Sequence, residues 1–209
     1  MSNSALARSP DDRRALILAA AERAFVRHGF HATTMSHVAE EAGMSAGNLY
    51  RYFPSKEAIV EGLCAAENAE RAADFLGLAR ARDVFSAMTM LLEQQILARP
   101  PEKARMIVEI WAEAGRNPRV AAITQAVDAD VMEKAVGLMR MAKATGSASA
   151  DMNAEFAAKF LFTLVAGLFK RLATEPNFDV AAEIPLAQGA LKALFSGALQ
   201  PSPAASGKA

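Results

Sequence analysis

The strongest constraint on this chain is the spacing of its apolar residues. They recur three and four positions apart almost throughout, and β-branched runs of strand type are missing. A stripe of that period is one face of a helix, so the chain is read as all-α. Its 209 residues, 52% of them hydrophobic, can bury a substantial core as one large domain or as a small domain joined to a larger one. Cys64 is the only cysteine, which leaves no internal disulfide and no cysteine-based metal cluster and suits a reducing cytoplasm. The opening MSNSALARSPDDRRA has no apolar core of signal-peptide length. The longest apolar stretch, FLFTLVAGLF (Phe160 to Phe169), is about half of a membrane span. A cytoplasmic protein without membrane contact is expected.

Punctuation divides the pattern into helices. Ser9 and Pro10 make an N-cap and first-turn pair, Asp11 and Asp12 suit the positive end of the dipole, and Ile17, Ala20, Ala21, Ala24 and Phe25 form an apolar stripe closed by Gly29. A short second helix starts from Thr33 or Thr34, turns Met35, Val38, Ala39 and Ala42 inward, and stops at Gly43. Ser45 caps a third, which carries Leu49 and Phe53 inward until Pro54 forbids continuation, and Ser55 caps a fourth, running to about Leu76. Further helices are expected near 81–97, 102–115, 119–144, 152–174 and 180–195, with Pro185 placing Ile184 as an alternative start for the last.

One five-residue stretch, GMSAG (43 to 47), admits two readings. Gly43, Ser45 and Gly47 fit G-x-S-x-G, the turn that presents a serine nucleophile, yet that elbow follows a strand, and the residues before Gly43 are a helical SHVAEEA. In the hydrolase fold that uses this elbow the base histidine follows the serine, whereas His28, His31 and His37 all precede Ser45. The serine is read as a helix cap, and no enzyme is expected. No metal is expected at the histidines either, since no acidic or thiol partner has matching spacing. His37 is placed near phosphate and His28 at a helix C-terminus. What remains is helix, tight turn, helix, a module whose second helix enters the DNA major groove.

The run GFHATTMSHVAEEAGMSAGNLYRYFPSKEAI, Gly29 to Ile59, resembles the DNA-binding segment of the TetR family of bacterial transcriptional regulators, with its TT-x-x-x-A-x-x-A-G, G-x-L-Y-x-Y-F and S-K-E positions. The resemblance implies a helix-turn-helix DNA-binding domain over 1–54 and a helical ligand-binding and dimerisation domain over 55–199. Residues 200–209, rich in Pro, Ser and Ala, are read as a disordered tail. Thr34 and Ser36 would offer hydroxyl and amide groups to phosphate. Ser45, Ala46 and Gly47 have little bulk and would let the third helix approach base edges; Asn48 would bond adenine or phosphate, and Arg51 guanine or the backbone. Tyr50, Tyr52 and Lys56 match the family's phosphate-contacting positions. A merely solvated face is the plain alternative for the tyrosines and Arg51. Seven basic residues (Arg8, Arg13, Arg14, Arg23, Arg27, Arg51, Lys56) face seven acidic ones (Asp11, Asp12, Glu22, Glu40, Glu41, Glu57, Glu61) across residues 1 to 62, so binding must rest on geometry as much as on field.

The same resemblance places a homodimer interface on the last two helices, through Leu164, Gly167, Leu168, Leu186, Leu191, Leu194 and Phe195, with Gly189 allowing close approach. It places an effector pocket among the helices between, lined by Met88, Leu92, Met106, Ile110, Trp111, Val127, Met132, Met139 and Phe162, for which a hydrophobic small molecule is expected. Glu109 to Val120 distantly resembles the choline-responsive members of the family. That ligand is not carried over, because an aromatic cage is favoured for it and both tyrosines lie in the DNA-binding segment. The expected protein is a homodimeric repressor without cofactor, released from a palindromic double-stranded operator by its ligand. An activator or corepressor-dependent regulator is the near alternative; a helical enzyme or a protein-binding scaffold is the distant one.

Overall fold

The computed structural model describes residues 9–97 and 99–201. Among them run nine helices and no strand: α1 (Pro10–His28), α2 (Met35–Glu41), α3 (Ala46–Tyr52), α4 (Lys56–Arg80), α5 (Val84–Leu97), α6 (Pro101–Ala114), α7 (Pro118–Ala144), α8 (Ala154–Thr174) and α9 (Val180–Phe195). No helix among these residues is long and apolar enough to cross a membrane. Most of the expected tail, 202–209, lies outside the described residues.

The boundaries follow local chemistry. Ser9 Oγ accepts the Asp12 amide while the Asp12 carboxylate accepts the Ser9 amide, both at 3.1 Å, a reciprocal cap that starts α1 at Pro10. Gly29 ends it at φ 77°, and Gly43 ends the α2 segment at φ 64°. The α8 start falls at Ala154 rather than 152, because Asn153 Oδ1 accepts the Phe156 amide. Pro185 lies inside α9, which begins from the Asp179 cap, and the residue is exposed.

The chain packs as two compact units. The first extends to Glu70 and takes in Pro100–Val127; the second comprises Arg71–Arg99 and the chain from Asp128 onward. The first unit buries Ile17, Phe25, Phe30, Val38, Leu49, Phe53, Ile59 and Val60 from α1 to α4 together with Met106, Ile110 and Val120 from α6 and α7. Phe25 meets Phe30 edge-on at 5.1 Å. Each such side chain contributes roughly 1.5–3 kcal/mol of burial. This core joins residues before 54 with residues of α4, α6 and α7, because α6 lays its apolar side on α1.

In the second unit α5, α7, α8 and α9 close around Val84, Leu138, Met139, Ala157, Leu191, Leu194 and Phe195, with Phe85 edge-on to Phe195 at 5.4 Å. A smaller cluster joins Leu168 and Ile184 with Leu92, Leu164, Phe178 and Val180. Arg171 ties the α8 end to α9: it pairs with Glu175 at 3.2 Å and Glu183 at 2.8 Å, and its guanidinium lies 4.4 Å from the Phe178 ring centre.

Candidate nucleic-acid interface

Helices α2 and α3 are seven residues each, and the turn between them begins at Gly43. Ser45 Oγ accepts the Asn48 amide at 3.3 Å, so the serine of the GMSAG stretch caps α3. Leu49 and Phe53 are fully buried and fix the rotation of α3 about its axis. That rotation leaves Ser45, Gly47, Arg51 and Tyr50 exposed, the last at 51%, with Asn48 half-buried. A carbon added at Gly47 would meet nothing within 4 Å. Ala46 and Tyr52 are half-buried and pack against the core of their own unit, so their side chains are only partly available.

Thr34 and Ser36 are exposed at the start of α2. Thr34 Oγ1 accepts the His37 amide at 3.3 Å and His37 Nδ1 accepts the Thr34 amide at 3.4 Å, a reciprocal cap with an imidazole in place of the usual Glu or Gln. The His37 ring stacks on His28, centres 4.7 Å apart, while His31 stands apart from that pair, 3.9 Å from Glu113. Glu41, at the end of α2, accepts from Arg23 at 2.8 Å and from Arg27 at 2.7 Å. The Arg23 hydrogen bond holds the Glu41 carboxyl below its ordinary value against the opposing effect of burial, with the Arg27 charge adding to it. This fork pins α2 to α1. Arg14 donates to the Tyr52 carbonyl at 3.0 Å and lies 4.5 Å over the Phe53 ring, securing the end of α3.

The Lys56 ammonium donates to the carbonyls of Phe30, His31 and Thr33 at 2.9, 3.2 and 3.1 Å, which engages it in the α1–α2 turn. Burial pulls Lys56 below its ordinary value, and the charges of Glu113 and Glu57 oppose that pull. Phe30 offers its amide to Glu109 Oε2 at 2.5 Å. Neither Glu109 nor Arg14 carries a signal along the sequence, since each acts on a residue 79 or 38 positions away.

The expected pocket residues are drawn from both units. Met106 and Ile110 are buried in the core of the first unit, which also holds Trp111 (38% exposed) and Val127. Met88 and Met132 pack against the main core of the second unit, Met139 is inside that core, Leu92 joins the small Leu168–Ile184 cluster, and Phe162 is half-buried on α8. Two surface concavities of the second unit, about 530 and 350 Å³, are lined by other residues, among them Arg140, Lys143, Met152 and Glu155 in one and Phe85, Ser147, Ser149 and Lys192 in the other. Of the expected dimer residues, Leu168, Leu191, Leu194 and Phe195 are buried within their own chain and Leu164 packs against the Leu168 cluster. Leu186 is 60% exposed, and a carbon added at Gly167 or Gly189 would meet nothing within 4 Å.

A short exposed helix, offered by a glycine turn from a second short helix and locked behind by Leu49, defines a helix-turn-helix DNA-reading module. Comparison with known proteins agrees. Residues 17–63 match the N-terminal part of bacterial regulatory proteins of the TetR family, and residues 87–196 match the C-terminal part of BetI-type transcriptional repressors. The HTH-type transcriptional regulator UidR of Escherichia coli K12 is 32% identical over 194 residues, 90% of this chain and 94% of the relative. The structure of Salmonella enterica GusR superposes with a TM-score of 0.69 at 28% identity, covering 90% of this chain and 97% of that one. A TetR-family regulator from Rhodococcus sp. shares the fold with a TM-score of 0.75 at 24% identity, over 88% and 98%. The chain belongs to the TetR family of bacterial transcriptional regulators.

Proposed function

We propose that this regulator is a cytoplasmic homodimeric repressor that reads a palindromic double-stranded operator through α3 and is released from it by a small-molecule effector held in the second unit. The observation that carries the reading is the face of α3: Ser45, Gly47, Tyr50 and Arg51 stand exposed while Leu49 anchors the helix from behind. A seven-residue helix is ~10 Å long and reads few base pairs, so specificity calls for two copies one DNA turn, ~34–36 Å, apart. In this reading Arg51 and Asn48 contact bases or the adjacent backbone, Gly47 gives close approach, and Thr34, Ser36 and Tyr50 take phosphates. The second copy docks on the exposed side of α8 and α9, where Gly167, Leu186 and Gly189 leave room for another helix pair. The second unit's part-buried Met88, Met132 and Phe162 leave an apolar effector as the better fit.

The test is selection of bound duplexes from the fragmented source genome by the purified full chain, followed by sedimentation of the chain alone and on the selected duplex. A twofold-symmetric site bound by two chains is expected. A chain that stays single and retains no duplex above background sinks the proposal.

A further inference from the structure

Four backbone groups of the turn joining α1 to α2 are satisfied by side chains distant in sequence. After Gly29 the chain leaves helix with its polar groups unpaired by secondary structure. The Phe30 amide is taken by Glu109 of α6 at 2.5 Å, and the carbonyls of Phe30, His31 and Thr33 are taken by Lys56 of α4 at 2.9, 3.2 and 3.1 Å. Lys56 also lies 4.5 Å over the Phe30 ring. A carbon added at Gly29 would meet Glu109 Oε2 at 3.4 Å, an ordinary contact, so the glycine answers to its positive φ. The Thr33 hydroxyl bond to the Gly29 carbonyl, 2.6 Å, is by contrast local.

Helix α6 itself is held firmly within this unit. Met106 and Ile110 are in its core, and Lys103 pairs with Glu22 at 3.3 Å and Glu67 at 3.0 Å. Burial works against the Lys103 ammonium, but the two carboxylates outweigh it and hold it above its ordinary value. One turn beyond Glu109, Glu113 is paired with Arg116 and supplies negative charge toward Lys56. The turn leads straight into Thr34, the cap residue of α2, and α2 leads through Gly43 into α3.

We infer that Glu109 is a positioning residue for DNA reading: with Lys56 it clamps the turn at residues 29–34 and so sets where Thr34, Ser36 and α3 meet the duplex. This rests on the operator reading above. A carboxylate that reached the turn only for stability would be replaceable by stability gained anywhere in the unit. A clamp is not, because a displaced turn withdraws its groups from phosphate while the unit stays folded.

The experiment compares the wild-type full chain with Glu109→Ala, Glu109→Gln and Val120→Ala, the last a core change in the same unit that makes no hydrogen bond to the turn through its side chain. Each is titrated onto the selected operator at a temperature where all four proteins are folded, and Phe30 amide exchange is followed by NMR. Glu109→Ala is expected to weaken binding about tenfold or more although it removes a negative charge, because the turn's hydrogen-bonding groups are withdrawn from phosphate. Faster Phe30 exchange should accompany it. Glu109→Gln keeps an acceptor oxygen for the amide and should restore the affinity. Val120→Ala should lower the melting temperature and leave the affinity at the wild-type value. A Glu109→Ala affinity equal to wild type overturns the inference and leaves the repressor reading intact. A wild-type chain that retains no duplex overturns both.

Discussion

Gly43 and Gly47 lie four residues apart and answer to different demands. Gly43 holds φ 64°, a left-handed conformation that costs an L side chain roughly 1–2 kcal/mol. Gly47 sits inside α3 with open space around it, where glycine weakens a helix by roughly 0.5–1 kcal/mol relative to alanine. Gly43→Ala should therefore lower unfolding free energy by about 1–2 kcal/mol. Gly47→Ala should raise it slightly while weakening operator binding, because the added methyl occupies space proposed for base edges. Urea titration and fluorescence anisotropy on the same preparations check both; a Gly47→Ala protein that binds DNA as well as wild type removes Gly47 from the interface. Glu41 gives a pH signature. Its folded carboxyl is held below the ordinary value of 4.5, first by the Arg23 hydrogen bond, so the fork's stabilisation is complete above that value and fades as pH falls through the lowered one. Because the two arginines are more than half exposed, the fork contributes about 1 kcal/mol. The urea midpoint of Glu41→Gln should fall below wild type at pH 7, and the gap should close as pH falls through the lowered value; a gap of constant size across the acid range would show that the charge is not the source. Ser45, Gly43 and Thr34 were legible in the sequence, since a cap or a positive φ is set by neighbours within a few positions. Lys56 was not: its motif position suggested phosphate, and only the folded turn reveals three carbonyls in front of it.

Among the helices, α8 was expected to need contact on two sides, and α8 and α9 each carry a buried side and an exposed one. The leucines expected at a partner, Leu168, Leu191 and Leu194, turn into their own unit, while the small and exposed Gly167, Gly189 and Leu186 are turned out. An apolar helix declares that it needs contact on several sides without declaring which side meets which neighbour. Leu186→Asp tests the outward side. Leu186 is 60% exposed, so the single chain should fold normally, whereas a twofold interface would receive the charge twice and lose ~2–3 kcal/mol, about a hundredfold in Kd. Sedimentation equilibrium should show the variant as single chains at concentrations where wild type is paired. An unchanged association constant would move the dimer surface elsewhere. Helix α6 is the converse case: the family resemblance suggested Met106 and Ile110 as ligand lining, and their packing is with the core that supports α1.

In the proposed dimer, two α3 helices are held at a separation matched to one turn of duplex. Inserting about five base pairs between the half-sites of the selected operator rotates one of them by half a turn, and binding should be lost at concentrations that saturate the parent site. Binding that survives the insertion would mean the two copies read independently. Effector control sets a further requirement: moving the population from 1:99 to 99:1 takes ~5.5 kcal/mol of differential affinity. The all-helical architecture, the capped starts of the first helices and the DNA-reading motif could be read from the chain alone, because periodicity, caps and breakers act over distances of one or two turns. Which apolar residues join which core, that α6 packs with the DNA-reading helices, and that Glu109 reaches back 79 positions to the Phe30 amide belong to the folded molecule, because those pairings are chosen by shape and proximity among segments that carry no local record of each other.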